Sequence, residues 1–256
     1  MRYFFIEQAA TETPTSFLTG SDARHIKTVL RLKPGDKIGL FDGKGFEYEA
    51  SIVALSSGRV EVSVIRRFPS KTESPVQITI AQAFLKAKKM DGLVRQLTEL
   101  GITKWIPFVA QRSVSRPDRK QLQLRTERWN KIAQEALKQC RRGRMPEICP
   151  TLSVDEVLAL GQAHELKIVF WENESKPINI LFPKQDRKFN NIFAMLGPEG
   201  GLTEQEIESA RSKGFVTAAL GPRILKAETA TIAACALLQY TFGDMGQKNL
   251  DKKRRF

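Results

Sequence analysis

The sequence predicts an α/β protein in which a small β-rich domain precedes a larger domain of alternating strands and helices. Short strand-like runs separated by turn signals fill the first 70 residues, and a polar stretch with two prolines follows at 68–75. Apolar strands then alternate with segments of helical periodicity, the pattern of a parallel sheet covered on both faces. With 41% hydrophobic residues among 256, the chain can bury a core for each domain.

The first domain, residues 1–72, is predicted to be a small barrel. The Asp42-Gly43 pair and the serine-glycine run at 56–58 are hairpin-type turn signals. One short helix is predicted at 21–30, ahead of a Lys-Pro-Gly-Asp turn. The predicted strands lie at 2–6, 37–41, 46–54 and 59–66.

The second domain, residues 73–247, is predicted to alternate strand and helix. Thr203 followed by Glu206 has the spacing of a capping box at a helix start. Predicted strands lie at 76–84, 105–109, 167–171, 191–196 and 216–220, and predicted helices at 88–100, 125–140, 203–212 and 228–242.

Positive charge is concentrated in one part of the chain. The 41 Lys and Arg against 28 Asp and Glu give a net charge of +13. Of this, residues 86–144 carry +11 and the basic tail 248–256 carries +4, whereas residues 145–247 carry −4. Such segregation favours an RNA footprint apart from a small-ligand region, although a solvated charged face is the alternative.

Several protein classes are excluded by what the sequence does not contain. No run of 18 apolar residues appears, so we expect no membrane-spanning helix, and the N-terminus lacks the apolar region of a signal peptide. The three cysteines are too scattered for a disulfide scaffold or a zinc site. We therefore expect a cytoplasmic protein with reduced thiols and no metal.

Two buried strands each end in a Gly-Pro loop that leads to a helix, at 193–203 and at 218–230. Ligands of open α/β sheets bind beyond the carboxyl ends of the strands, where glycines let the backbone approach closely. The first loop lacks the glycine order of a phosphate cradle and carries Glu199, which would repel phosphate. A ligand with a positive centre, such as S-adenosylmethionine, fits this acidic loop better.

The run LGPEGGL at 196–202, followed by LGPRILKAETA at 220–230, resembles the paired motifs of the RsmE family. These are small-subunit ribosomal RNA methyltransferases of the SPOUT superfamily. The resemblance extends along nearly the whole chain, through 2–5, 25–36, 86–90 with 98–101, 112–114 and 128–133. The sequence departs from the family pattern at Lys226-Ala227, where an arginine and a hydroxyl residue are usual.

The resemblance implies a PUA-like β-barrel domain followed by a SPOUT domain with a deep trefoil knot. It also implies a homodimer that uses S-adenosylmethionine to methylate N3 of one uridine in 16S rRNA of the small ribosomal subunit. Two other functions stay open: a ribose 2′-O-methyltransferase of tRNA or rRNA from the same superfamily, and a non-catalytic RNA-binding factor in ribosome assembly.

Candidate site residues fall on the two loops. For the leucines, core packing is the competing interpretation. The cofactor-binding candidates are Leu196, Gly197, Gly200, Leu220, Ile224 and Leu225.

The catalytic candidates are Glu199, Glu228 and Arg223. Either carboxylate could steer charge or accept the proton of uracil N3, and Arg223 could hold a phosphate or a uracil carbonyl. The competing interpretations are a first-turn helix carboxylate for Glu228 and an ordinary salt bridge for Arg223.

Candidates for RNA contact are the basic residues of the +11 segment and of the first domain. Those near residue 140 also close a predicted helix, where cations suit the helix dipole without any RNA. The RNA-binding candidates are Arg24, Arg31, Lys88, Lys89, Arg112, Arg141, Arg142 and Arg144.

Overall fold

The computed structural model describes residues 2–6, 15–114, 118–177 and 188–246. The chain divides into two compact units. The N-terminal unit comprises residues 1–73 together with 134–145, and the C-terminal unit comprises 74–133 and 146–256. The basic tail predicted at 248–256 lies outside the described residues.

The N-terminal unit is built on a five-stranded sheet with the strand order β1-β3-β4-β5-β2. β1 pairs parallel to β3, and the other pairs are antiparallel. A short helix α1 leads into a π-helical turn at His25–Val29, and the side chains of Ala23 and Ile26 are buried in the core. The strands are β1 (Tyr3–Phe5), β2 (Thr15–Thr19), β3 (Lys37–Phe41), β4 (Phe46–Ser56) and β5 (Arg59–Pro69), and α1 is Gly20–Arg24.

The C-terminal unit is built on a seven-stranded sheet in which every pairing is parallel. The order is β12-β10-β11-β6-β7-β8, with β9 also paired to β7. Parallel sheets need cover on both faces, and the four inner strands are accordingly apolar and buried. The strands are β6 (Gln77–Ala83), β7 (Lys104–Val109), β8 (Glu147–Ile148), β9 (Leu152–Ser153), β10 (Leu166–Phe170), β11 (Asn191–Leu196) and β12 (Val216–Ala218).

Within the described residues, five helices connect these strands. Thr203 and Glu206 form the predicted capping box, in which the Glu206 N–H donates to Thr203 Oγ1 and the Thr203 N–H donates to Glu206 Oε2. Gly214, with φ of +74°, ends the same helix in the left-handed conformation. The helices are α2 (Ala87–Glu99), α3 (Arg119–Cys140), α4 (Val154–Gly161), α5 (Glu204–Ser212) and α6 (Ala227–Thr241).

Most predicted elements are found within a few residues of their expected bounds. The predicted helix at 21–30 is α-helical only to Arg24 and continues as a π turn. α3 starts six residues before the predicted 125, because residues 119–124 are too polar to show an apolar stripe. Strands β2, β8 and β9 and helix α4 are not among the elements that the sequence predicts.

Within the described residues, no helix is long and apolar enough to cross a membrane. In the same part of the chain, no group of three or more His, Cys, Asp and Glu side chains could hold a metal ion.

Candidate active site

A cavity of about 630 Å³ lies in the C-terminal unit at the carboxyl ends of β10, β11 and β12. Its walls are the loop after β11, the loop after β12, and residues 170–172 at the end of β10. The size is within the usual range for small-molecule sites. The lining includes all six sequence candidates for the cofactor: Leu196, Gly197, Gly200, Leu220, Ile224 and Leu225.

The first loop passes close enough to its neighbours to leave little room for side chains. A Cβ on Gly197 would lie 3.1 Å from Leu202 Cγ, and one on Gly200 would lie 3.2 Å from Arg112 Cβ. Gly201 has φ of +71°, and a Cβ there would overlap the Glu172 carboxylate. The glycines therefore bring bare backbone to the cavity wall.

The second loop combines a left-handed glycine with apolar side chains. Gly221 has φ of +103°, which a side-chain-bearing residue rarely adopts, although no heavy atom lies within 4 Å of the place that its Cβ would take. Ile224 is 88% exposed, and Leu225 is partly buried. In contrast, Leu196, at the end of β11, is 2% exposed. It packs in the core and also lines the cavity.

Lys89 lies between the two candidate carboxylates. Its Nζ is 3.2 Å from Glu199 Oε1 and 3.1 Å from Glu228 Oε2. The Lys86 N–H also donates to Glu199 Oε1, at 3.3 Å. Three charged groups on three different segments are thus joined, with two negative charges and one positive; Lys89 and Glu199 line the cavity, and Glu228 does not.

The bonds around this cluster keep its groups charged. Burial acts to raise the pKa of Glu199, but hydrogen bonds from its own N–H, from the Lys86 N–H and from Lys89 outweigh it and lower that pKa. The Glu228 backbone N–H is the main cause that lowers the pKa of the Glu228 carboxyl, with help from Lys89. Hydrogen bonds to Glu228 and Glu199 in turn raise the pKa of Lys89.

Two exposed arginines lie next to the loops of the cavity. Arg112 is exposed, and its Nη1 donates to the Gly200 carbonyl oxygen at 3.2 Å, so it supports the first loop. Arg223 lines the cavity and is exposed; within the described residues it makes no ion pair of 4 Å or less. The described residues therefore offer no partner for the ordinary salt bridge that is the competing interpretation of Arg223.

The structure separates the RNA candidates into groups. Arg141, Arg142 and Arg144 belong to the N-terminal unit, as do Arg24 and Arg31. All of these except Arg142 are exposed. Lys88, Lys89 and Arg112 belong to the C-terminal unit, where Lys88 and Arg112 are exposed.

The structure sets two of the predicted RNA contacts apart from the exposed ones. The Arg142 side chain is only 4% exposed, and its Nη2 donates to Glu73 Oε2 at 2.8 Å, so it is a structural ion pair. Lys89 is engaged by two carboxylates and is part of the cavity rather than of an exposed basic surface. Both predictions rest on charge clustering, which does not show where a side chain points.

Sequence analysis misses Glu172. It lies two residues after the end of β10, lines the cavity, and packs against Gly201. An acidic residue at the end of a buried strand is a recognisable signal. The strand predicted at 167–171 stops one residue before Glu172, so the prediction does not include it. With Glu199 and Glu228, it makes this end of the sheet suited to a ligand with an apolar body and a cationic centre.

Family models match both parts of the chain. A family described as "RNA methyltransferase domain" matches residues 72–239. A second, described as "RNA methyltransferase PUA domain", matches residues 18–65.

Individual relatives match over almost the full length. The Ribosomal RNA small subunit methyltransferase E of Bacillus subtilis is 35% identical, over 94% of this chain and 96% of that protein. The protein of the same name from Buchnera aphidicola is 30% identical, over 89% and 91%. The crystal structure of Ribosomal RNA small subunit methyltransferase E from Neisseria gonorrhoeae, bound to S-adenosyl methionine, superposes with a TM-score of 0.83 at 31% identity, covering 96% of this chain and 99% of that one.

Proposed function

Since the chain belongs to the ribosomal RNA small subunit methyltransferase E family, we propose that it methylates N3 of one uridine in 16S rRNA with S-adenosylmethionine as methyl donor. The observation that carries the proposal is the convergence of both Gly-Pro loops on one cavity. Six candidates chosen from sequence line that cavity, and a relative of the same fold binds S-adenosyl methionine.

The chemistry of the cavity fits this cofactor. Glycine backbone and the apolar side chains of Leu220, Ile224 and Leu225 offer a surface for a nucleoside. The carboxylates of Glu172 and Glu199 offer negative charge for a sulfonium and an ammonium group. The cofactor, when bound, supplies a methyl group already activated by the positive sulfur.

The residues of the chain then have to orient the acceptor base and manage its N3 proton. The pKa values of Glu199 and Glu228 are both lowered, so these carboxylates are charged but weak proton acceptors. We assign them to electrostatic attraction of a cationic ligand rather than to strong general-base catalysis. Arg223, exposed at the rim, can donate to a uracil carbonyl or an RNA phosphate.

The finer architecture is part of the same proposal. We assign residues 1–72 to a PUA-like RNA-binding domain and 73–247 to a SPOUT domain with a deep trefoil knot, followed by a basic tail at 248–256. The matched family ranges 18–65 and 72–239 support the boundary near 72. A homodimer is supported by apolar side chains left exposed on α6 and its preceding loop: Ile224 at 88%, Tyr240 at 64% and Leu237 at 37%.

Nucleoside mass spectrometry of 16S rRNA tests the proposed function. RNA from cells that lack this protein should lose 3-methyluridine, and the purified protein with S-adenosylmethionine should restore it. The appearance of a 2′-O-methylnucleoside without 3-methyluridine would contradict the acceptor that we propose. Absence of S-adenosylmethionine binding in calorimetry would instead indicate a non-catalytic RNA-binding factor.

The ion pairs of Lys89 predict a shift in pH dependence. If Glu199 and Glu228 attract the cationic cofactor, affinity falls as pH drops through their folded-state pKa values and the carboxylates become protonated. Lys89→Met removes a cation that lowers both pKa values, so we expect this loss of affinity to begin at a higher pH. Calorimetric titration at decreasing pH measures it.

The neighbouring Lys88→Met is the matched control, because Lys88 is exposed and the same charge is removed one residue away. Its affinity profile should follow that of the wild type. Superimposable profiles for the Lys89 and Lys88 variants would contradict an electrostatic role for the two carboxylates.

The exposed arginines of the N-terminal unit predict the salt dependence of RNA binding. Arg141→Glu combined with Arg144→Glu should weaken binding and reduce the slope of affinity against salt by roughly one per lost phosphate contact. Cofactor affinity should not change. Arg142 is left intact because reversing its charge would place a carboxylate against Glu73.

Filter binding over a series of salt concentrations measures this slope. The control is Lys176→Glu combined with Lys188→Glu, which makes the same change in net charge. Both lysines are exposed and lie within residues 145–247, which carry a net charge of −4. An equal loss of slope in both double variants would mean that only net charge matters, and would remove Arg141 and Arg144 from the footprint.

A further inference from the structure

Gln82 is a fully buried amide on β6, next to the candidate active site. It is 0% exposed and is paired in the sheet with Leu196, the last residue of β11 before the first loop. A buried amide carries two donors and one acceptor that need partners, because an unsatisfied polar group in the interior is costly. Its partners show what it holds together.

The nitrogen of this amide is bonded to the first loop. Gln82 Nε2 donates to the Gly197 carbonyl oxygen at 3.1 Å and to the Ala83 carbonyl oxygen at 3.0 Å. These two acceptors also fix which way the amide faces, since a flipped group would set its own oxygen against two carbonyl oxygens. Gly197 is in turn part of the cavity wall.

The oxygen of the same amide is bonded to α6. Gln82 Oε1 accepts a hydrogen bond from the Thr231 hydroxyl, which is itself 0% exposed. The single hydroxyl proton is shared between Gln82 Oε1 and the Ala227 carbonyl oxygen, which lies 2.8 Å from Thr231 Oγ1 in the first turn of the helix. Ala227 and Ala230 line the cavity, and the second loop runs directly into this turn.

We propose that Gln82 is a positioning residue for the methyl-donor site, which sets the first loop and the start of α6 at the distance that the cofactor requires. Gln82 is not one of the described residues that line the cavity. We therefore expect it to act through its hydrogen bonds to Gly197 and Thr231. The inference rests on the proposed function, because it assumes that S-adenosylmethionine occupies this cavity.

A second buried glutamine allows this role to be separated from stability alone. Gln239 is 1% exposed; its Nε2 donates to the carbonyl oxygens of Leu100 and Gly101, and its Oε1 accepts from Ser74. The bonding pattern repeats that of Gln82, with two carbonyl acceptors and one hydroxyl donor. None of these groups lines the cavity.

The experiment compares Gln82→Met with Gln239→Met, since methionine keeps the unbranched shape and removes the polar groups. Both variants should melt at a lower temperature than the wild type. Only Gln82→Met should lose affinity for S-adenosylmethionine in calorimetry, by about tenfold or more. The affinity of Gln239→Met for S-adenosylmethionine should stay within about twofold of the wild-type value. This is well below the tenfold loss, about 1.4 kcal/mol, expected for Gln82→Met.

A smaller change keeps the test valid if Gln82→Met does not fold. Thr231→Val removes only the hydroxyl and should also lower affinity, whereas Thr231→Ser keeps the hydroxyl and should restore it. In the double variant of Gln82→Met and Thr231→Val, the two losses should be less than additive, because each removes the same bond.

The inference is overturned if Gln82→Met binds the cofactor as well as the wild type does. It is equally overturned if the two glutamine variants lose affinity to the same extent, which would show a general effect of destabilisation. A wild-type protein that fails to bind S-adenosylmethionine overturns the proposed function first, and this inference with it.

Discussion

Gly201→Val is expected to lower affinity for S-adenosylmethionine by about tenfold. Gly201 has φ of +71°, and its added Cβ would overlap the Glu172 carboxylate at the cavity wall. The left-handed backbone costs about 1–2 kcal/mol for a residue with a Cβ, and a β-branched residue tolerates it least. Because each step of about 1.4 kcal/mol is tenfold in affinity, this strain should lower affinity by about tenfold, whereas the Glu172 carboxylate is the end of a flexible side chain and can move aside.

Gly58→Val is the matched control for this substitution. Gly58 also has φ of +71°, in the turn between β4 and β5, and no heavy atom lies within 4 Å of its Cβ position. It should lower the melting temperature through backbone strain but leave calorimetric affinity unchanged. Normal cofactor binding by Gly201→Val would refute the placement of the site on this loop.

Gly200→Val should have a milder effect than Gly201→Val. Its backbone is not left-handed, and the nearest atom to an added Cβ is Arg112 Cβ at 3.2 Å, which can give way by a small shift. The order of the two effects follows from the structure, because both glycines look equivalent in the sequence run.

Glu73→Ala is expected to cause a large loss of stability in the N-terminal unit. Glu73 Oε2 accepts from the buried Arg142 guanidinium at 2.8 Å, and its Oε1 accepts from the N–H groups of Gly143 and Arg144, both at 3.0 Å. Removing one partner of a buried ion pair costs about 3–5 kcal/mol, since the remaining charge loses its compensation. Urea denaturation measures the free energy of unfolding.

Glu49→Ala provides the comparison. Glu49 forms ion pairs with Lys37 and Arg66, whose side chains are 65% and 69% exposed. Exposed pairs are screened by solvent and contribute little to stability, so two lost contacts should matter less than one buried pair. Equal destabilisation by the two substitutions would show that Arg142 is not held in the way described.

The cavity is predictable from sequence because it depends on local signals. A buried strand, a Gly-Pro turn and a helix start follow one another in each loop, and parallel strands bring such loops to one edge of the sheet. The capping box at Thr203 is read from residues three apart and is confirmed for the same reason. These signals depend only on residues close together in the sequence, so the structure contains them as predicted.

Side-chain partners distant in sequence are not predictable in this way. Lys89 meets Glu199 and Glu228 across more than a hundred residues, and its charge alone suggests RNA. The same applies to Arg142, whose burial beside Glu73 depends on how a helix end packs. Gln82 gives no signal at all, because one polar residue in an apolar strand is common.

The N-terminal unit is formed by two separate segments of the chain, and this affects the order in which the protein can fold during synthesis. Residues 134–145 belong to this unit but are separated from residue 73 by 60 residues of the other. Glu73 therefore leaves the ribosome before Arg142, the partner that it needs, and a long chain segment must be closed before the pair forms. The first unit is completed only after part of the second has been made, so the two units cannot mature as successive independent steps.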